Sequence, residues 1–178
     1  MTDVVRGELS LNDCRAVAEY SARCAQSVLP VFEQRCPSDR RPHDAIDAAL
    51  LFARGSDRTA LIRDRAWSAL RAAAEAAKEG EIAASEAARA AVAAAGAAYL
   101  HPLAKATQVK HILGSAAHAI RAIEITRPSD GGSHLEMLIG LATSQVSDVL
   151  RRYPSAPLKG GRIGELIREI DAALRRSG

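Results

Sequence analysis

Between Ala98 and Ile120 the chain reads AYLHPLAKATQVKHILGSAAHAI, which holds three of its five histidines beside two lysines, a glutamine, Thr107 and Ser115. Imidazoles exchange protons near neutral pH and ligate metals, so their spacing decides what chemistry is open to them. With the hundred-degree step of a helix, Gln108, His111, Ser115 and His118 fall in one narrow stripe, bordered at its N-terminal end by Lys105 and His101. A helical metal pair needs ligands at i and i+4, or sometimes at i and i+3. His111 and His118 are seven apart, about 10 Å along a helix axis, so one ion cannot bridge them. No metal or other cofactor is expected. The stripe can donate and accept hydrogen bonds and change charge, which suits an interface or a cleft. Tyr99, His101, Lys105, Gln108, His111, Ser115 and His118 are therefore candidate binding residues. The plainer alternative is that His111 and His118 cap core hydrogen bonds or face water.

Other motifs say less. DRRPHD, Asp39 to Asp44, places Arg40 and Arg41 at the start of a helix, where free amides attract anions. The same residues also make a capped loop in which Arg41 pairs with a nearby acid. Arg151–Arg152 and Arg175–Arg176 end helices and suit the negative end of the helix dipole. KGGRIG, Lys159 to Gly164, lacks the GxxxxGK[ST] order and a preceding strand, so it is no phosphate loop. Neither GxSxG nor HxE with CxxC occurs, and no paired-carboxylate signature stands out. Trp67, the single tryptophan, sits beside Ala66 and Leu70 and is expected to pack in the core or in a helical hairpin.

The elements that must position these residues are helices throughout. Apolar residues recur at three- and four-residue spacing nearly everywhere, and nothing reads as a strand. The first helix starts near Ser10, with Ser10 and Asp13 as a capping box. Its buried stripe is Leu11, Cys14, Val17, Ala18, Ser21, Ala25, Val28 and Phe32, with Pro30 kinking it or splitting off a turn. A second covers His43 to Ala53, with Asp39 as cap, Pro42 in its first turn and Gly55 at its end. Asp57 can cap a third, buried through Ile62, Ala66, Ala69, Leu70 and Ala73. Gly80 separates it from a fourth, Ile82 to Tyr99, whose alanines favour helix rather than disorder. Pro102 opens a fifth, buried through Val109, Ile112, Leu113, Ala116, Ile120 and Ile123. A sixth spans Leu135 to Arg152, and a seventh Ile163 to Arg175. The expectation is one all-α domain over residues 1–178, about seven helices in a compact bundle or a short array of helical hairpins.

The 178 residues suit one domain with a sizeable core. Hydrophobic residues make up 48% but aromatics only 3%, so the core is aliphatic and offers few platforms for stacking bases. A net charge of +3 is modest for a nucleic-acid binder, which concentrates positive charge on one face. Three cysteines, Cys14, Cys24 and Cys36, are too few for a disulfide framework. Cys14 and Cys24 lie about 15 Å apart on one helix and cannot bridge there. MTDVVRGELS has no apolar signal core, and no run approaches a membrane span. These features describe a cytoplasmic, reduced protein with free thiols, Cys14 buried and Cys36 the most reactive.

AVAEYSARCAQSVLPVFEQRCPSDRRPHDAIDAALLFARG, the Ala-rich helices after it and HILGSAAHAIRAIE together resemble the bacterial Imm-5-like putative immunity proteins. The likeness is carried by Cys24, Val28, Leu29, Pro30, Phe32, Asp39, Arg41, Pro42, Ile46, Ala48, Ala53, Arg54, Gly55 and AAHAI. It extends to the closing YPSAPLKGGRIGELIREIDAAL. The resemblance implies an all-helical cytosolic protein that binds a cognate toxin stoichiometrically, and it carries over no catalytic residue. Two other classes stay open: a small-molecule binder or enzyme with a polar inter-helix cleft, and a helical nucleic-acid-associated protein.

Overall fold

A computed structural model describes residues 9–176, so most of the N-terminal MTDVVRGELS lies outside the described residues. Alanine dictates the architecture. The helix Ile82–Ala97 (α5) buries Ala84, Ala87, Ala88, Ala90, Ala91, Ala94, Ala95 and Ala97, on nearly every side. Such short side chains let several neighbours approach closely. α1 (Leu11–Gln26), α2 (Leu29–Glu33), α3 (Arg41–Ala53), α4 (Ala60–Lys78) and α6 (Val109–Thr126) all pack on α5. This is a bundle around a central helix, not a row of hairpins. α7 (Gly131–Gly140), α8 (Ser144–Arg151) and α9 (Gly161–Arg176) close the far side of α6 and the start of α1. The described residues contain no strand.

Local signals set most helix ends. Ser10 Oγ accepts the Asp13 amide at 3.1 Å while the Ser10 amide donates to Asp13 at 2.9 Å, the expected capping box. α1 ends before Pro30, which sits in the first turn of the short α2. Gly55 (φ +120°) and Gly80 (φ +80°) turn the chain after α3 and between α4 and α5, in conformations that favour glycine.

Several expectations change. Leu11 is 50% exposed and leaves the buried stripe of α1, whereas Cys14, Val17, Ala18 and Ser21 stay in it. Thr59, not Asp57, occupies the cap position of α4, without a side-chain bond. Trp67 is 57% exposed, because the buried line of α4 runs through Ile62, Ala69, Ala72, Ala73 and Ala76 and passes beside it. α6 does not open at Pro102. It begins at Val109, after a loop and a single 3-10 turn, Ala106–Gln108. His101 diverts the backbone there: its Nδ1 takes the Leu103 amide and its carbonyl takes the Tyr153 hydroxyl. The sixth expected helix is two, α7 and α8, because Gly140 ends one and Thr143 caps the next by accepting the Val146 amide.

Candidate functional site

The polar residues of the 99–118 region are distributed over three environments. Tyr99 turns toward the start of α4, donating to the Thr59 carbonyl at 2.9 Å under Arg58 and Arg63, whose guanidinium carbons lie 5.6 and 5.2 Å from its ring centre. His101 and Lys105 are exposed on the α5–α6 loop, which Gln108 braces by accepting the His101 amide at 3.2 Å. Ser115 is buried, with its hydroxyl directed to the carbonyls of Ser21 (2.7 Å) and Ala90 (2.9 Å). It pins α6 to α1 and α5 and faces no solvent. The helical stripe is thus broken in its middle, since α6 has neighbours on most sides.

His111 and His118 share one feature, a groove of about 530 Å³. Its floor is the one partly exposed line of α5 set against α6. The helices run antiparallel, as shown by Gly114 facing Ala93, Ser115 facing Ala90 and His118 facing Glu86. Leu70 of α4, the 106–107 turn, the 157–160 loop and Ile163 and Ile167 of α9 form the walls. His118 Nδ1 lies 2.6 Å from Glu86 Oε2, a half-buried pair at one end. His111 is held below the ordinary histidine range by burial and by the charge of Lys110. It is therefore mostly neutral at neutral pH. The lining is largely apolar, so a cleft of the polar kind is not what these helices build.

Arg40 and Arg41 sit elsewhere, at the start of α3. Arg41 grips Asp39 at 2.6 Å and also pairs with Glu75 of α4, while Arg40 lies 3.7 Å from Asp44. The Arg41 bonds hold the Asp39 carboxyl below its usual range. The guanidinium of Arg41 ties the α2–α3 loop to α4 and presents no vacant fork to an anion. Similar links engage Arg152 with Asp13, Arg162 with Glu124 and Arg175 with Asp171. No cluster of three metal-ligating side chains occurs among the described residues.

Arg89, Gly96, Lys110, Gly114 and Lys159 line the groove, and sequence reasoning did not find them. A usable signal was present. Glycine inside an alanine-rich helix costs stability without serving a turn, and it usually has a packing or functional reason. The glycines of KGGRIG have a different cause. Gly160 and Gly161 adopt positive φ, and a Cβ on Gly164 would lie 1.9 Å from the Lys159 carbonyl oxygen. They make a tight entry into α9.

The family described as Imm-5 like putative immunity protein matches residues 7–137. The match includes α1 through α6 and the groove floor. It stops within α7, short of the YPSAPLKGGRIGELIREIDAAL segment to which the resemblance had extended. No curated protein matches the chain, and no solved structure does. Among the described residues no helix is long and apolar enough to cross a membrane.

Proposed function

We propose, since the chain belongs to the Imm-5 like putative immunity protein family, that it binds and blocks a cognate protein toxin without catalysis. Family membership is the observation that carries this reading. The surface adds support. Leu103 is 53% exposed on the loop that bears His101 and Lys105, and Leu158 is 92% exposed on the loop that forms the facing wall of the groove. Apolar side chains held in water on either side of a concavity, among adaptable polar groups, suit the centre of a protein interface. His111 lines the groove that residues of both loops border.

Neutralisation by occupancy requires a stable complex of fixed stoichiometry and no turnover. The test is co-expression with candidate toxins, the products of neighbouring genes first among them. The intact chain should restore growth and co-purify with the toxin in a fixed ratio. Protection at amounts far below one chain per toxin molecule would indicate catalysis and refute the reading.

A further inference from the structure

The floor of the groove is open because two helical side chains are missing. Gly96 and Gly114 have ordinary helical φ. A Cβ on Gly96 would meet nothing within 4 Å, and one on Gly114 would meet only the Ala93 Cβ at 3.7 Å. Neither position needs glycine for backbone conformation or clearance, and alanine would favour both helices. What glycine provides here is room.

Charge at the groove is one-sided. Arg89, Lys110 and Lys159 line it, and none has a carboxylate within ion-pair distance among the described residues. Because α5 and α6 are antiparallel about the Ala93–Gly114 contact, Arg89 and Lys110 lie at opposite ends, about 12 Å apart along the helices. The Arg89 end already holds the Glu86 carboxylate, bound to His118. The Lys110–His111 end, beside Gly96, holds no carboxylate among the lining residues. The volume of about 530 Å³ falls within the range of small-molecule sites, about 300–1,000 Å³, which are mostly apolar with a few placed polar groups.

We infer that this groove binds a small amphipathic anion, with an apolar body over Gly96 and Gly114 and an anionic head at Lys110 and His111. Lys159 adds positive charge from the facing loop. Ile163 and Ile167 of α9 cover the apolar body, and the open mouth admits it. The inference does not depend on the toxin reading, since it needs only the groove and its charges.

Octanoate and its charge-inverted counterpart octylammonium are the probes, titrated calorimetrically into the full chain. Octanoate should bind at one saturable site, and octylammonium at least about tenfold more weakly. Gly96→Leu places a side chain over the floor, where a Cβ meets nothing within 4 Å, and favours the helix, so it should abolish octanoate binding while the melting temperature holds or rises. Lys110→Glu should weaken octanoate by at least about tenfold. Equal affinity for the two probes, or octanoate binding that survives Gly96→Leu, would overturn the proposal. So would absence of octanoate binding, and loss of toxin capture by Gly96→Leu in that case would assign the groove to the protein interface instead.

Discussion

Arg152 Nη1 lies 2.7 Å from Oδ2 of Asp13, joining the residue that follows α8 to the first turn of α1. Asp13 also accepts from Gln145 at 3.1 Å and completes the capping box with Ser10. One carboxylate therefore caps a helix and fastens the C-terminal part of the chain to its beginning. Burial alone would raise this carboxyl, but the bonds from Ser10, Arg152 and Gln145 outweigh it and bring it down to about 2.

Asp13→Ala should accordingly destabilise the fold by about 2–3 kcal/mol at neutral pH, measured by urea denaturation, since it removes a cap and the charge-assisted bond from Arg152. The pH dependence has a definite sign. A depressed carboxyl contributes stability that is fully present above its ordinary value and is lost as pH falls through the folded one. The gap between wild type and variant should thus close between about pH 4 and pH 2. A gap that persists unchanged at the acid end would refute this account.

The imidazoles run in a related direction. Burial lowers the pKa of His111 and of His134, with help from Lys110 and Arg127 respectively. Protonation then favours the unfolded chain, so their contribution to stability is present above the ordinary histidine value and lost as pH falls through the folded one. Proton NMR should show both rings titrating below an unfolded control. Lys110→Ala should move His111 upward and leave His134 in place.

Thiol chemistry should separate the cysteines by burial. Cys14 and Cys24 lie in the core, and burial pushes the Cys24 thiol up to about 12. Cys36 is half-buried, and its thiolate is disfavoured by burial and by Asp39, Glu79 and Glu81. A native titration with a disulfide reagent should therefore modify Cys36 alone, slowly, and faster as added salt screens the acids. Three thiols should react after denaturation. Rapid modification of Cys24 in the native protein would contradict this packing.

The toxin face can be tested without disturbing the core. Leu103→Asp and Leu158→Asp change exposed loop residues and should shift stability by less than about 0.5 kcal/mol. Each should weaken toxin capture by at least about tenfold if the two loops flank the contact. His111→Ala should also weaken capture with little change in melting. His118→Ala should cost about 1 kcal/mol, because it releases Glu86. Undiminished capture by both leucine variants would remove this face from the proposal.

Features settled within three or four residues were legible in the sequence. The Ser10–Asp13 cap needs only its own turn, and Gly55 and Gly80 mark local reversals. The loop before α6 was not legible, because Tyr153, more than fifty residues away, helps decide that His101 bends the chain. Ser115 failed for a related reason. Periodicity placed it on a stripe with His111 and His118, but α1 and α5 both cover that part of α6, and no period reports how many neighbours a helix has. The groove escaped because it is formed by absent side chains, and residue-type reasoning looks for groups that are present.

The alanine helix α5 has a practical consequence for mapping this protein by mutation. Replacing residues by alanine, the usual survey, changes nothing at Ala88, Ala91 or Ala95, though each is fully buried. The central element is thus a blind spot for that method, and its core scores would be drawn from the helices packed around α5. A survey that adds methyl groups instead, such as alanine to valine, would reverse the picture. Each added carbon must push at least one packed helix outward, so the plainest residues of the chain should show the sharpest penalties.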